Sequence, residues 1–174
     1  MYRYVSSKDE LLVLVADKAT GRPPDYILAA EGWRRGSSAW VKALVELYAE
    51  RPWLLDVPIR GAPVTPNLLH WTETLLRVMA DTGLSQHDAL GCAVLLSGYA
   101  QSYANLARQL DASDSAPVES AAVGAFLVPR LQSSGFDHLL AMYTNQEYED
   151  GLDDDLDFGL DRLLDGIQVL IDRR

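Results

Sequence analysis

The chain has 174 residues, and its 15 Lys and Arg against 25 Asp and Glu give a formal net charge of −10. With 48% hydrophobic and 23% charged residues, it has the composition of one globular domain with a sizeable core, and intrinsic disorder is excluded. The excess of acidic over basic residues argues against binding nucleic acid by bulk electrostatics. Cys92 is the single cysteine of the sequence, which excludes an internal disulfide. Apolar runs such as Leu11–Ala16 are too short to span a membrane. No signal-peptide pattern is present, so we expect a cytoplasmic protein without a membrane partner.

Helical periodicity runs through the chain, because apolar residues recur three and four positions apart and no segment alternates with a period of two. We therefore predict an all-α fold. Ser7 with Glu10 has the pattern of a capping box, Thr65 precedes a proline at the first helical position, and Ser85 opens the longest helix. The predicted helices span approximately residues 11–20, 38–51, 66–82, 85–110, 118–131, 136–148 and 154–173, with a break at Pro129.

The longest predicted helix carries apolar residues on more than one side. Leu90 and Val94 lie opposite the stripe that contains Cys92, so we expect its first half to be buried on both flanks. A line of mostly small residues between them allows another helix to approach closely: Gly91, Gly98, Ser102 and Asn105. The last predicted helix offers a second such surface: Gly159, Leu163, Gly166 and Leu170.

Thr72 stands on an otherwise apolar face of the helix predicted at 66–82. Its hydroxyl either orients a small molecule in an apolar pocket or bonds back to its own helix, and the sequence leaves both possibilities open. Side chains of neighbouring helices extend this candidate pocket, although core packing explains each of them equally well. The candidate ligand-binding residues are Trp40, Leu47, Trp53, Leu68, Trp71, Thr72, Leu75, Leu76, Met79, Leu90, Val94 and Ser97.

The acidic run at 153–157 is the one pattern that points to catalysis. Asp153, Asp154 and Asp157 have the spacing with which isoprenoid synthases hold Mg²⁺ against a diphosphate. Those enzymes need a second acidic motif on a facing helix, which we do not find, and an acidic first turn also suits the helix dipole. The histidines lack metal-ligand spacing, and no catalytic triad or nucleotide-binding motif is present. We expect no enzyme, metal or cofactor, and keep a small helical Mg-dependent diphosphate enzyme as an alternative.

Several segments resemble the TetR family of transcriptional regulators. Tyr2-Arg3-Tyr4-Val5 is similar to the end of the family's DNA recognition helix, and Lys8-Asp9-Glu10-Leu11-Leu12 to the start of the helix that follows it. The resemblance continues at Arg51-Pro52-Trp53, at Asp81-Thr82-Gly83-Leu84-Ser85 and in the closing segment 158–167. These segments resemble the effector-binding domain of the tetracycline-repressor-like branch of the family. Together they extend over nearly the whole chain.

The resemblance implies two regions. Residues 1–6 correspond to a remnant of the recognition helix of a helix-turn-helix, and residues 7–174 to an antiparallel helical bundle that binds an effector and dimerises. Of the family's DNA-contacting positions, those matching Tyr2, Tyr4 and Lys8 remain, and in the family these mostly touch phosphates, which carry no sequence information. A helix-turn-helix also needs its first helix. We therefore expect operator DNA binding only from an intact form.

The resemblance also implies a partner and an effector class. In the family, the last two long helices pair with those of a second subunit in a four-helix bundle, so a homodimer through the two small-residue surfaces is expected. The family's drug–magnesium pocket uses a His and a Gln, and the matching positions here are Val57 and Leu75. We therefore expect an apolar small molecule as the effector. The resemblance implies a transcriptional regulator, most simply a repressor. A stand-alone ligand-binding or dominant-negative dimer partner is the other alternative.

Overall fold

The computed structural model describes residues 8–58, 65–111, 120–144 and 152–173. All regular structure in these ranges is helical, which confirms the predicted all-α class. Two 3-10 turns, Pro52–Asp56 and Ala80–Thr82, flank the fourth helix. No helix in the described ranges is long and apolar enough to cross a lipid bilayer. The α-helices are α1 (Lys8–Thr20), α2 (Tyr26–Ala29), α3 (Gly32–Glu50), α4 (Pro66–Val78), α5 (Gln86–Asp111), α6 (Ser120–Ser134), α7 (Asp137–Thr144) and α8 (Leu152–Asp172).

Helix α3 begins at Gly32 rather than at Ser38, the start that the sequence predicts. Glycine and serine disfavour helix locally, but packing against a neighbouring helix overrides this preference. Gly36 is buried where α3 meets α4, and a β-carbon built on it would lie only 2.7 Å from Cγ1 of Val78. This glycine therefore permits a close approach of two helices and does not mark a loop.

The start of α4 confirms the predicted position of Pro66 and corrects the predicted cap. Pro66 occupies the first turn, but the Thr65 side chain makes no capping hydrogen bond. The free amides of Asn67 and Leu68 donate instead to the carboxylate of Asp17 in α1, at 2.9 and 3.3 Å. The cap of α4 thus comes from a different helix.

Helix α5 starts as predicted after Ser85. Oγ of Ser85 accepts a hydrogen bond from the backbone N–H of Asp88 at 3.1 Å and donates one to the Asp88 carboxylate at 2.7 Å. Gly83 adopts φ 76°, a left-handed conformation that ends the preceding turn at the predicted place. Ser7, the predicted cap of the first helix, lies outside the described residues.

Helices α6 and α7 pack against each other. Helix α6 differs from the prediction at Pro129. Helix α6 continues through this proline to Ser134, because the missing N–H removes one backbone hydrogen bond without ending the helix here. The predicted break that follows is present, since Gly135 has φ 72° and separates α6 from α7.

The hydrophobic core is centred on α3, which packs against α2, α4 and α5. Burying one large aliphatic side chain contributes about 1.5–3 kcal/mol relative to leaving it exposed, so this cluster is the main source of stability. Its largest fully buried apolar side chains come from five helices and from Met79, which directly follows α4: Ile27, Val41, Leu75, Met79, Leu96, Leu160 and Leu164.

Helix α8 packs against α5 and is tied to α3 by ion pairs. The Arg34 guanidinium lies 2.7 Å from the Asp165 carboxylate and 3.3 Å from that of Asp161. The Lys42 ammonium lies 2.8 Å from the carboxylate of Asp157. One edge of α8 therefore faces the positive side chains of α3, while its apolar stripe joins the core.

One flank of α5 is open to solvent, contrary to the prediction that its first half is buried on both sides. Cys92 and Ala93 are buried against the core, whereas Leu90 is 45% exposed and Val94 is 69% exposed. Helical periodicity identifies an apolar face but not the neighbour that covers it. The described part of this chain covers only one of the two faces.

Candidate functional site

Two tryptophans join α3 and α4 at the centre of the predicted ligand site. The rings of Trp40 and Trp71 meet edge to face, with centroids 5.9 Å apart and planes at 72°. Nε1 of Trp40 donates a 2.8 Å hydrogen bond to the backbone carbonyl of Trp71, so the polar atom of this buried indole is satisfied. Both side chains are almost fully buried and form part of the contact between the two helices.

The predicted ligand residues differ widely in exposure. One group is buried in the core: Trp40, Leu47, Trp71, Leu75 and Met79. A second group is half-buried: Thr72, Leu76 and Ser97. The remaining residues are exposed: Trp53, Leu68, Leu90 and Val94. The structure brings the first group and Leu76 together in one packed cluster, whereas Leu90 and Val94 lie on the open flank of α5.

The hydroxyl of Thr72 is bonded within its own helix. Oγ1 donates a 3.1 Å hydrogen bond to the carbonyl of Leu68, four residues earlier. This is the second of the two possibilities that the sequence left open, and it uses the donor of the hydroxyl. The oxygen keeps its capacity to accept a hydrogen bond.

Trp53 lies on the Pro52–Asp56 turn, which Arg108 of α5 holds in place. The two terminal nitrogens of Arg108 each lie 2.9 Å from one carboxylate oxygen of Asp56, and Nη1 also donates to the carbonyl of Pro52 at 3.2 Å. The hydrogen bonds from Arg108 lower the pKa of the Asp56 carboxyl below its ordinary value. The turn that carries Trp53 is thus fixed to the last part of α5.

A polar group between α3 and α5 was missed by the sequence analysis. Burial raises the pKa of the Tyr48 phenol, and a hydrogen bond with Gln101 opposes that shift. Nε2 of Gln101 donates in turn to Oγ of Ser97 at 3.5 Å. Ser97 was a predicted ligand residue, and the spacing of four to Gln101 on one helix was the available signal. Nothing in the sequence pointed to Tyr48.

Ser37 is another polar residue that the sequence analysis missed. It is fully buried in α3, and its Oγ has no hydrogen-bond partner within the described part of the chain. Serine is too common in helices for the sequence to mark it as unusual. The hydroxyl therefore leaves a donor unsatisfied inside the core.

An open groove of about 380 Å³ lies between the first half of α5 and the second half of α8. Residues of both predicted dimer surfaces line it: Gly91 from α5, and Leu163, Gly166 and Leu170 from α8. His87, Asp88 and Arg162 add charged or polar groups at its border. The other dimer residues of α5 lie outside this lining: Gly98 and Ser102 are exposed, and Asn105 is half-buried.

The glycines of the two surfaces have different environments. A β-carbon built on Gly91, Gly98 or Gly166 would meet nothing within 4 Å, so among the described residues no neighbour requires their small size. A β-carbon on Gly159 would instead collide with the ring and hydroxyl of Tyr99, whose hydroxyl donates a 2.8 Å hydrogen bond to the carbonyl of Leu156. Gly159 thus serves the packing of α5 on α8 within one chain.

Comparison with known proteins shows the family. Residues 28–171 match the family described as "Tetracyclin repressor-like, C-terminal domain". The chain belongs to this family. Its members typically form homodimers and bind small-molecule effectors and operator DNA.

Individual relatives of this TetR-family chain are transcription regulators. The HTH-type transcriptional repressor DrrR1 of Streptomyces coeruleorubidus is 30% identical over 181 aligned residues, which cover 100% of the chain and 66% of that relative. An HTH-type transcriptional regulator of Saccharopolyspora erythraea is 25% identical over 99 residues, which cover 57% of the chain and 42% of that relative. The chain therefore spans less than two thirds of the length of these curated relatives.

A solved structure of the same family shares the fold. The crystal structure of the Streptomyces coelicolor TetR family protein ActR in complex with (S)-DNPA matches with a TM-score of 0.66 and 22% sequence identity. The match covers 95% of this chain and 77% of the ActR chain. The arrangement of helices described above is thus that of a TetR-family protein.

The predicted DNA-contacting residues lie at the edge of the described structure. Tyr2 and Tyr4 fall outside the described residues, and Lys8 is exposed at the first position of α1. Helix α1 packs against α4 through its last turns and carries exposed apolar side chains on its other faces: Leu11, Leu12, Leu14 and Val15.

The acidic run belongs to the first turns of α8. Asp157 forms an ion pair with Lys42 of α3, and the side chains of Asp153 and Asp154 lie outside what the structure describes. Among the described side chains, no three His, Cys, Asp or Glu residues are grouped so that they could hold a metal ion. The role that the structure gives to Asp157 is to attach α8 to α3.

Proposed function

We propose that this chain is the effector-binding and dimerisation part of a TetR-type transcriptional regulator. The observation that carries the proposal is the family match over residues 28–171. The helical bundle, which shares its fold with ActR, supports it. The similarity to the repressor DrrR1 favours repression by the intact regulator, with operator DNA as its partner. Residues 1–6 would then belong to the DNA-reading head, with Tyr2, Tyr4 and Lys8 near phosphates.

The proposed effector is an apolar small molecule bound among α3, α4 and α5. On α4, Leu68 is exposed and Leu76 is half-buried, and on α5 Ser97 with Gln101 gives hydrogen-bonding groups that can orient a ligand. The positions that match the His and Gln of the tetracycline pocket are the half-buried Val57 and the fully buried Leu75, which cannot bind a metal–drug complex. ActR was crystallised with (S)-DNPA, so this compound is the first probe to use.

The proposed mechanism is a shift between two arrangements of the helices. An effector that binds one arrangement more tightly increases its population, and this changes the spacing of the two DNA-reading heads in a dimer. Operator affinity then falls. Helix α1 is the element through which the change passes, because it packs against α4 and leads towards residues 1–6.

The effector proposal is tested by thermal unfolding with (S)-DNPA and a panel of apolar aromatic compounds. A ligand at one hundred times its dissociation constant raises the free energy of unfolding by about 2.7 kcal/mol, so the Tm rises. Leu68→Glu should abolish the shift, because Leu68 belongs to the candidate site, whereas Leu69→Glu should retain it. These neighbours are similarly exposed, at 40% and 49%. Equal responses of the two variants, or no shift with any compound, would contradict the proposal.

The proposed partner is a second copy of the chain. The apolar flank of α5 and the groove between α5 and α8 are the surfaces that a four-helix interface would cover. Gly91, Gly98 and Gly166 support this assignment, because no neighbour in the described part of the chain requires a glycine there, whereas a glycine permits close approach of another helix.

A further inference from the structure

Asp17 of α1 supplies the cap that α4 lacks. Its side chain is buried, and its Oδ1 accepts hydrogen bonds from the backbone N–H groups of Asn67 and Leu68 at 2.9 and 3.3 Å. A carboxylate at a helix N-terminus satisfies free amides and suits the helix dipole. Because this carboxylate belongs to another helix, the cap also joins two elements that are distant in sequence.

Further hydrogen bonds connect the same two turns. Nδ2 of Asn67 donates to Oδ2 of Asp17 at 3.0 Å and to the backbone carbonyl of Asp17 at 2.9 Å. One turn later, Nε1 of Trp71 donates to the carbonyl of Gly21, the residue that follows α1, at 3.1 Å. The last turn of α1 is therefore held by side chains from the first two turns of α4.

We propose that Asp17 and Asn67 form a lock that makes the last turn of α1 and the first turns of α4 move as one unit. The consequence rests on the proposed function: a displacement of α4 by an effector reaches α1, and through it the DNA-reading head. The hydrogen bond from Trp40 to the carbonyl of Trp71 extends the unit to α3. Asp17 is a positioning residue in this scheme and does not contact the effector.

Amide hydrogen exchange of the full chain tests the lock. In Asp17→Ala, we expect the amides of Asn67 and Leu68 to exchange at least tenfold faster, and the amides of residues 18–21 to accelerate with them. Amides in the centres of α3 and α5 should keep their protection. The control is Asp25→Asn, an exposed aspartate whose side chain makes no capping hydrogen bond, and it should leave all these rates unchanged.

Two further variants keep the test decisive if Asp17→Ala does not fold. Asp17→Asn preserves the shape of the side chain but replaces one carboxylate oxygen with an NH2 group. This group would face the Nδ2 donor of Asn67 without an acceptor between them, so the variant should weaken the lock. Asn67→Ala removes both hydrogen bonds from Asn67 Nδ2 to Asp17 and leaves the Asp17 carboxylate free to accept from the backbone amides of residues 67 and 68. We expect faster exchange at residues 18–21 in this variant, because those two hydrogen bonds hold the last turn of α1.

Three results would overturn the inference. The first is faster exchange at the start of α4 with unchanged exchange at residues 18–21, which would show a cap without coupling. The second is equal acceleration throughout α3 and α5, which would show global destabilisation. The third is unchanged exchange at residues 18–21 in Asn67→Ala. The measurement uses neither effector nor operator, so its failure would contradict the lock alone, whereas a negative effector screen would contradict the proposed function alone.

Discussion

Buried polar side chains in this bundle are accommodated in two ways. Asp17 is buried, and its carboxylate accepts hydrogen bonds from several donors of α4. Ser37 is also buried, but its hydroxyl has no partner within the described residues. Leaving a buried donor or acceptor unsatisfied costs about 1–3 kcal/mol, so Ser37 is expected to destabilise the folded state.

Replacing Ser37 should therefore stabilise the protein. We expect Ser37→Ala to raise the free energy of unfolding by about 1 kcal/mol or more, because the unsatisfied hydroxyl is removed and alanine favours the helix. Chemical denaturation measures this value. Ser38→Ala is the control, since it makes the same change of helix propensity at a half-buried neighbouring position. Equal gains in the two variants would show that the Ser37 hydroxyl is satisfied.

Helix α8 depends on charge as well as on apolar burial for its position. Hydrogen bonding to the Arg34 guanidinium lowers the pKa of the Asp165 carboxyl, and the same contact raises the pKa of Arg34. Because the pKa of Asp165 is lower in the folded state, the stabilisation by this pair is present above the ordinary carboxyl pKa of about 4. It is lost as the pH falls through the lower value of the folded protein.

Arg34→Gln should show this dependence on pH. We expect a lower Tm than that of the unchanged protein at pH 7, and a difference that shrinks as the pH falls below the ordinary carboxyl pKa and through the lowered pKa of Asp165. The effect should be small and should decrease in high salt, because both partners are exposed. Arg35→Gln is the matched control, since Arg35 pairs with Glu31 at a spacing of four and does not link α3 to α8. A Tm difference that does not decrease with falling pH, down to the acid unfolding of the protein, would contradict the assignment.

The assembled protein is expected to cover surface that one chain leaves open. Leu90 and Val94 are exposed on the open flank of α5, and a groove lies along the contact between α5 and α8. Exposed apolar surface next to a groove is typical of protein interfaces. In a twofold dimer, the same patch on each subunit meets its own copy.

Gly98→Glu tests the homodimer. A side chain at this exposed position has free space within the subunit, so the variant should fold, yet it places a charge between the two α5 helices. We expect light scattering after gel filtration to give a dimer for the unchanged chain and the monomer mass of 19.2 kDa for the variant. Gly124→Glu in α6, where a β-carbon also meets nothing within 4 Å, should remain dimeric. A monomeric unchanged chain at micromolar concentration would contradict the proposal.

Much of the fold could be predicted because its signals are local. The helical period, Pro66 at the start of α4 and Ser85 before α5 each depend on a few neighbouring residues, and the structure confirms them. Trp40 and Leu75 lie in one core cluster, as the apolar faces of their helices indicated, while their role in binding a ligand stays a prediction. The polar group at Tyr48 was missed, because its partner lies on another helix.

Local pattern therefore defined most helices of this protein and the resemblance that identified its family, but it missed α2 and the first turns of α3. Packing decided which faces are covered, so that Val94 is exposed while Leu96 is fully buried. Packing also decided that Asp17, and not Thr65, caps α4 from 50 residues away in the chain. The physical reason is that helix propensity acts between residues a turn apart, whereas burial and hydrogen-bond partners depend on which helices meet.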